Sequence, residues 1–131
     1  MAIEVFFDGG RKVNASINGF TVKTDQDVKA GGEGSAPEPF TLFLASIATC
    51  AGVYVQSFCA KRDIPSTEIT LTMDYELDPI AKMIVLIRID IHVPPYFPEK
   101  YEGALINAAA LCAVKRHLSD KIKSEIKIKR K

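Results

Sequence analysis

The sequence is poor in the residues that mark several common kinds of site. Its 131 residues include no tryptophan, two histidines and three cysteines, and its formal net charge is +1. Three cysteines are too few for a secreted disulfide framework, and without a C-x-x-C pair they exclude a thioredoxin-type motif. Their spacing from the histidines gives no zinc-site pairing, so we expect no metal and no bound cofactor. The near-zero charge gives no reason to expect binding to nucleic acid or to a membrane surface.

The length is that of one domain, and we predict a single domain over residues 1–131. The first residues show no basic segment followed by a short apolar one, so we expect no signal peptide. The expected compartment is the cytoplasm, where a thiol is more often catalytic, redox-active or simply buried than structurally bridged.

Short strands begin the chain. Asp8-Gly9-Gly10 and Asn18-Gly19 are tight-turn signals. They separate three segments with β-type patterning, which predict an antiparallel meander. These segments are residues 3–7, 11–18 and 20–24.

A long uncharged segment follows a Gly/Pro-rich loop at residues 25–39. No charged residue occurs from Phe40 to Ala60, a length that makes a helix of about 30 Å. That helix is long enough to span a bilayer. Its polar residues, and the lack of aromatic or basic anchors at both ends, instead favour the core helix of a soluble protein or oligomer. Pro65 blocks continuation beyond the end of this run.

The second half of the chain predicts a hairpin, a helix and a strand. Residues 67–77 and 82–93 predict a long β-hairpin around an Asp78-Pro79 turn. Residues 98–119 predict one helix, with acidic residues in its first turn and basic residues in its last. Residues 121–131 alternate isoleucine with lysine and predict a closing edge strand. Its lysines would discourage pairing with a further strand. The predicted class is therefore α+β.

Two of the cysteines lie where they could meet. Cys50 is midway along the first predicted helix and Cys112 lies on the apolar stripe of the second, so a contact between the helices could join them. Cys59, nine residues past Cys50, falls on the opposite face of a continuous helix. On pattern alone, all three are better explained as small buried apolar residues.

Activation of Cys50 would need help from elsewhere in the fold. A cysteine in mid-helix lacks the helix N-terminus that commonly lowers a thiol pKa, so a cation would have to be brought to it. The candidate cations are Arg11, Lys61, Arg62, Arg88 and Arg116.

The residues leading to Cys50 resemble the OsmC/Ohr family, the osmotically inducible and organic-hydroperoxide-resistance proteins. That family has a loop of small residues and proline, then a P-x-E-L-L-L-A-like helix start, then its peroxidatic cysteine. Here Ser35-Ala36-Pro37-Glu38-Pro39 leads into FTLFLASIATC, which ends at Cys50. A second cysteine falls about sixty residues later on another long helix, as Cys112 does here. The order of predicted elements also matches over nearly the whole chain.

The resemblance implies a thiol peroxidase acting on organic hydroperoxides in stress defence, with an OsmC-like fold that works as an intertwined homodimer. It implies that Cys50 attacks the peroxide and becomes a sulfenic acid, with which Cys112 condenses to a disulfide. An external dithiol or a lipoylated protein would then reduce that disulfide. The family also uses an arginine that stabilises the thiolate and an acid that holds the arginine, for which Arg11 and Glu38 are the candidates.

The sequence departs from the hydroperoxide-resistance branch around both cysteines. That branch has a glutamate ten residues before its first cysteine, where this chain has Phe40. Its usual His-Cys-Pro is replaced here by Leu111-Cys112-Ala113. The pattern therefore indicates a broader OsmC-like branch.

Two other functions remain open from the residues. One is a non-catalytic dimer that binds a small apolar ligand, with the cysteines as packing. Its pocket would be lined by Phe40, Phe43, Tyr54 and Tyr96. The other is Cys–His acyl transfer, which would need His92 or His117 beside a cysteine.

Overall fold

The computed structural model describes residues 2–118 and 123–131. The chain divides into two compact units, Met1–Ala45 and Ser46–Lys131. A three-stranded antiparallel sheet lies in the first unit and a two-stranded antiparallel sheet in the second. Together with the helices, these sheets confirm the predicted α+β class. The elements are β1 (Glu4–Phe7), β2 (Val13–Ile17), β3 (Phe20–Val22), α1 (Pro39–Ala60), β4 (Thr70–Leu77), β5 (Ile84–His92), α2 (Glu102–Ala110) and α3 (Ala113–Arg116).

Strands β1, β2 and β3 form the predicted meander, in that spatial order. The turn between β2 and β3 is Asn18-Gly19, and both residues have positive φ, 49° and 82°. Left-handed backbone at both central positions is what a type I′ hairpin turn requires, because its twist matches that of the flanking strands. The turn therefore fixes the register in which Ile17 faces Phe20.

The loop after the meander is organised by Asp25, whose side chain is fully buried. Its carboxylate accepts hydrogen bonds from the Ser35 hydroxyl (2.6 Å), the Ser35 N–H (3.1 Å), the Gln26 N–H (2.7 Å) and the Glu33 N–H (3.3 Å). These donors, the Ser35 hydroxyl first, lower the pKa of Asp25 to about 2, against the opposing effect of burial. Gly32 is required here, since a Cβ at this position would lie 2.0 Å from the Gln26 carbonyl oxygen.

Helix α1 begins and ends as the sequence predicts. Pro39 is its first residue, a position at which the missing N–H costs no hydrogen bond. Its last turn is closed by bonds from the Asp63 N–H to the Ala60 carbonyl (3.3 Å) and from the Ile64 N–H to the Cys59 carbonyl (3.0 Å). With Asp63 at a φ of 53°, this is a Schellman cap made without glycine.

The core of the second unit joins α1 to the residues around α2. Its buried members are Val55, Phe58, Cys59, Phe97 and Leu105. One face of the β4–β5 hairpin packs against this cluster through Leu71 and Ile91, which are paired across the strands.

The predicted single helix over residues 98–119 is wrong as a continuous element. A short 3₁₀ turn at Glu99–Tyr101 precedes α2, and the helix breaks at Leu111 and Cys112 before α3 begins. At the break the N–H groups of Leu111 and Cys112 bond three residues back, to the carbonyls of Ala108 (3.1 Å) and Ala109 (3.4 Å). This tightening ends α2. A new turn then starts with the Arg116 N–H bonded to the Cys112 carbonyl at 3.1 Å.

The predicted closing strand at residues 121–131 is also not borne out in its described part. Residues 123–131 form no strand, and Ile126 and Ile128 are 93% and 94% exposed. Alternation favours a strand only where a neighbour supplies hydrogen bonds and a surface covers the apolar face. Lys121 and Ile122 lie outside the described residues.

Candidate thiol site

Cys50 lies near the middle of α1 and is half-buried. It is followed by Ala51, which is 1% exposed, and by Gly52. Small side chains at these positions allow another segment of backbone to approach the helix closely. No acidic or basic residue lies within α1, so charges near the thiol have to come from other elements.

Cys112 lies at the break between α2 and α3 and is 1% exposed. Its sulfur lies 3.8 Å from the carbonyl oxygen of Ile47, one turn before Cys50 on α1. The Cys112 side chain also hydrogen-bonds to the Cys50 sulfur. The structure therefore brings the two thiols together, with both in the free form.

The pKa of the Cys50 thiol is lowered, and its causes lie almost entirely in one short segment. The largest is a hydrogen bond from the Val114 backbone N–H, followed by the one from the Cys112 side chain. The Ala113 N–H and the charge of Arg116 add smaller contributions, while burial opposes the shift. Each donor stabilises the thiolate more than the thiol.

These donors correct the expectation that only a cation could activate a mid-helix cysteine. The first N–H groups of any helical segment have no partner within it. Because the helix is interrupted at Cys112, the N–H groups of Ala113 and Val114 have no partner within α2 or α3. They bond instead to the Cys50 sulfur on α1. Sequence patterning could not reveal this, since it predicted an unbroken helix there.

Among the five candidate cations, Arg116 contributes to the lowered pKa of Cys50 through its charge, as the smallest of the causes given above. Arg62 instead lies over the Phe58 ring, 3.6 Å from its centroid, and donates to the Phe58 carbonyl at 3.1 Å. Arg88 is paired with Asp74 and Glu76 on the hairpin, and Lys61 is exposed just past α1.

The other two predicted supporting residues lie in the first unit. Arg11 is exposed at the turn after β1. Glu38 is half-buried just before α1, where its carboxylate accepts the Asp27 N–H at 3.3 Å and its carbonyl accepts the Leu42 N–H at 3.1 Å. Phe40, at the position of the resembled branch's glutamate, stacks on Phe43 with ring centroids 5.8 Å apart.

Cys59 is a core residue and is not part of the thiol site. It is fully buried in the core of the second unit, and burial raises the pKa of its thiol. A thiol whose ionised form is disfavoured in this way is a poor nucleophile.

An apolar cavity of about 400 Å³ lies next to Cys112 in the second unit. It is formed by α1, β5, the α2 region and Cys112 itself, and its one charged lining residue is Asp90. Neither Tyr54 nor Tyr96, which the ligand-binding alternative placed in its pocket, lines this cavity. The lining residues are Ile47, Ala51, Ile87, Ile89, Asp90, Ile91, Ile106, Ala109, Ala110 and Cys112.

Both histidines have hydrogen-bond partners that are not cysteines. His92 Nε2 lies 2.9 Å from the Thr72 hydroxyl, and His117 Nδ1 lies 2.6 Å from the Ala113 carbonyl oxygen, to which it donates. Within the described part of the chain, no group of three His, Cys, Asp or Glu side chains could hold a metal ion. Cys–His acyl transfer therefore has no geometric support.

Comparison with known proteins agrees with this architecture. The family model described as OsmC-like protein matches residues 32–127. A search of curated proteins finds no match. Among solved structures, a putative osmotic stress induced and detoxification response protein from Psychrobacter arcticus 273-4 is 19% identical and superposes with a TM-score of 0.78, over 92% of this chain and 89% of that one.

Two further solved structures carry hydroperoxide-resistance names. One is an organic hydroperoxide resistance protein OsmC from Legionella pneumophila, with 21% identity and a TM-score of 0.61 over 91% of this chain and 88% of that one. The other is a putative organic hydroperoxide resistance protein from Vibrio cholerae with captopril in one of its active sites. It is 16% identical, with a TM-score of 0.60 over 92% and 86% of the two chains. At these identities the superpositions establish a shared fold.

Proposed function

The chain belongs to the OsmC-like protein family, and on that premise we propose that it is a thiol-dependent peroxidase that reduces organic hydroperoxides. The resemblance found in the sequence is confirmed by the family match and the shared fold. The single observation that carries the proposed activity is the Cys50 sulfur, half-buried and hydrogen-bonded by Val114, Ala113 and Cys112.

The proposed reaction uses the two neighbouring thiols in order. The Cys50 thiolate attacks one peroxide oxygen, the O–O bond breaks, and the alcohol leaves with a proton while Cys50 becomes a sulfenic acid. The Cys112 thiol then attacks the sulfenic sulfur, which releases water and forms the Cys50–Cys112 disulfide. The exposure of the two residues supports this order, because Cys50 is only half-buried whereas Cys112 is almost fully buried.

The cycle needs an external reductant. A dithiol or a lipoylated protein would reduce the disulfide by thiol exchange, returning both thiols and leaving the reductant as its own disulfide. No bound cofactor takes part. A reducing compartment such as the cytoplasm suits this chemistry, because it maintains the dithiol pool.

We also propose that the working form is a homodimer. Helix α1 is long and apolar enough to cross a membrane, and only 28% of its most apolar window is buried. Val53 on α1 is 57% exposed and Ile106 on α2 is 61% exposed. A second copy of the chain covering these residues would remove that apolar surface from water.

The reaction is tested by intact mass after one equivalent of an alkyl hydroperoxide. The wild-type chain is expected to lose two hydrogens. Cys112→Ser is expected to gain one oxygen and stop at the sulfenic acid, Cys50→Ser to remain unchanged, and the matched control Cys59→Ala to behave as wild type. Peroxide consumption by Cys50→Ser at the wild-type rate would refute the proposal.

A non-catalytic, ligand-binding role is the second candidate, and the 400 Å³ apolar cavity is the observation that favours it. It predicts that the wild-type chain consumes peroxide no faster than a free thiol does. The same mass experiment therefore separates the two functions.

A further inference from the structure

We propose that the external thiol that reduces the Cys50–Cys112 disulfide reaches it through the apolar cavity and attacks the sulfur of Cys112. The inference rests on the disulfide cycle proposed above, and it names the sulfur at which the reductant enters that cycle. Peroxide and reductant thus approach the same pair of thiols by different routes.

The cavity adjoins one of the two thiols and not the other. Cys112 lines it, together with Ile47 and Ala51 of α1, whereas Cys50 is absent from its lining among the described residues. The Cys112 sulfur lies 3.8 Å from the carbonyl oxygen of Ile47, within this wall. Cys112 is 1% exposed while Cys50 is only half-buried. A reagent therefore meets Cys112 by entering the cavity.

The cavity wall determines what kind of thiol can enter. Its volume is about 400 Å³ and its lining includes five isoleucines, which suits a small apolar group. It reaches the surface at α2, where the lining residues Ile106 and Ala110 are both exposed. In the proposed dimer a second copy covers Ile106, so we place the entrance at Ala110. The reductant is then a dithiol carried on an apolar arm.

The chemistry of exchange favours the same sulfur. A thiolate that attacks a disulfide expels the other sulfur as a thiolate, and the more acidic thiol leaves faster. Attack at Cys112 expels Cys50, whose pKa is lowered by the Val114 N–H before all other causes. Attack at Cys50 would expel Cys112, whose sulfur lies against the Ile47 carbonyl oxygen, a group with no hydrogen to donate to a thiolate.

The two exchange steps balance without any further reagent. The first thiol of the reductant loses its proton and bonds to the Cys112 sulfur, while the S–S bond breaks and Cys50 leaves as a thiolate. The second thiol of the reductant then attacks its partner sulfur, forms the reductant's own disulfide and releases Cys112, which takes up a proton. Two electrons pass from the dithiol to the protein disulfide.

The test locates the mixed disulfide that a monothiol leaves on the protein. In a Cys59→Ala background, diamide oxidises the thiols without peroxide and forms the Cys50–Cys112 disulfide. Benzyl mercaptan or 2-mercaptoethanol is added at pH 7, acid stops the reaction at early times, and peptic peptides are analysed by mass spectrometry. We expect the added thiol on the Cys112 peptide and a free thiol on the Cys50 peptide.

A matched pair of variants tests the route through the cavity. Each rate is divided by the rate for the same disulfide in urea-unfolded protein. Benzyl mercaptan should then exceed 2-mercaptoethanol roughly tenfold, as when about two methylene groups leave water. Ala110→Phe, which fills the entrance, should remove this advantage. Ala104→Phe, at an exposed position of α2 outside the lining, should keep it.

Three results would overturn the inference. They are a mixed disulfide found first on Cys50, an advantage of benzyl mercaptan that survives Ala110→Phe, and a chain in which diamide forms no Cys50–Cys112 disulfide. Because diamide replaces peroxide, the assay is independent of peroxidase turnover. A chain that consumes no peroxide but is opened at Cys112 refutes the peroxidase and retains the attack at Cys112. A peroxidase whose disulfide is opened at Cys50 does the reverse.

Discussion

The lowered pKa of Cys50 depends most on one backbone N–H, that of Val114, and Val114→Pro removes that group. The Val114 N–H is the largest cause of the lowered pKa of Cys50. Val114 is the second residue of α3, so its N–H has no partner within the helix. Proline is tolerated in a first turn for this reason. The substitution thus deletes the hydrogen bond to sulfur with little loss of internal hydrogen bonding in α3.

The expected effect is a rise in the pKa of Cys50 toward its usual value. A hydrogen bond to an ionised acceptor is about twice as strong as a neutral one. Its loss should therefore lower the thiolate population of Cys50 at pH 7. The Cys112 and Ala113 donors remain in the variant and still favour the thiolate, while burial opposes it.

The measurement is the thiolate absorbance near 240 nm, titrated with pH and corrected with Cys50→Ser as the blank. Val114→Ala is the matched control, because it shortens the side chain and keeps the N–H. Ala113→Pro at the first residue of α3, where proline is favoured, should give a smaller shift in the same direction. If Val114→Pro retains the wild-type circular dichroism spectrum and the wild-type titration, backbone donation does not activate Cys50.

Two other predictions concern the loop and the assembly. The pKa of Asp25 is about 2 in the folded protein, against 3.8 for an unperturbed aspartate, so its contribution to stability is present above about pH 4 and is lost as pH falls toward 2. Asp25→Asn should therefore lower the urea midpoint at pH 7 and flatten its acid dependence between pH 4 and 2; an unchanged acid dependence would contradict this. Sedimentation should give the mass of two 14.4 kDa chains for wild type and a mass nearer one chain for Val53→Glu, whereas a wild-type monomer would exclude the dimer.

Local sequence signals predicted the β2–β3 turn and helix α1, because residues adjacent in sequence determine both features. Asn18-Gly19 predicted a hairpin turn, and both residues adopt the left-handed backbone that such a turn needs. The charge-free run and Pro39 predicted α1, and the structure begins that helix at Pro39 and ends it at Ala60. Each of these depends on neighbours in sequence, which patterning reports well.

The failures occur where a tertiary contact decides the backbone. Residues 98–119 carry helical patterning throughout, yet the helix breaks at Leu111 and Cys112, where the Cys112 sulfur lies 3.8 Å from the Ile47 carbonyl oxygen on α1. The C-terminal tail has the alternating pattern of a strand, yet its described residues 123–131 form no strand. The loop held by Asp25 gave no signal in the sequence, because its donors are mostly backbone N–H groups, which every residue but proline carries.

The break in the second helix gives physical meaning to one departure from the hydroperoxide-resistance pattern. That pattern has proline after its second cysteine, where this chain has Ala113. Proline has no N–H to donate, whereas the Ala113 N–H bonds to the Cys50 sulfur. The pattern's glutamate is replaced by Phe40, which stacks on Phe43. The substitution at position 113 is therefore the departure that bears on the acidity of Cys50, and Ala113→Pro tests it.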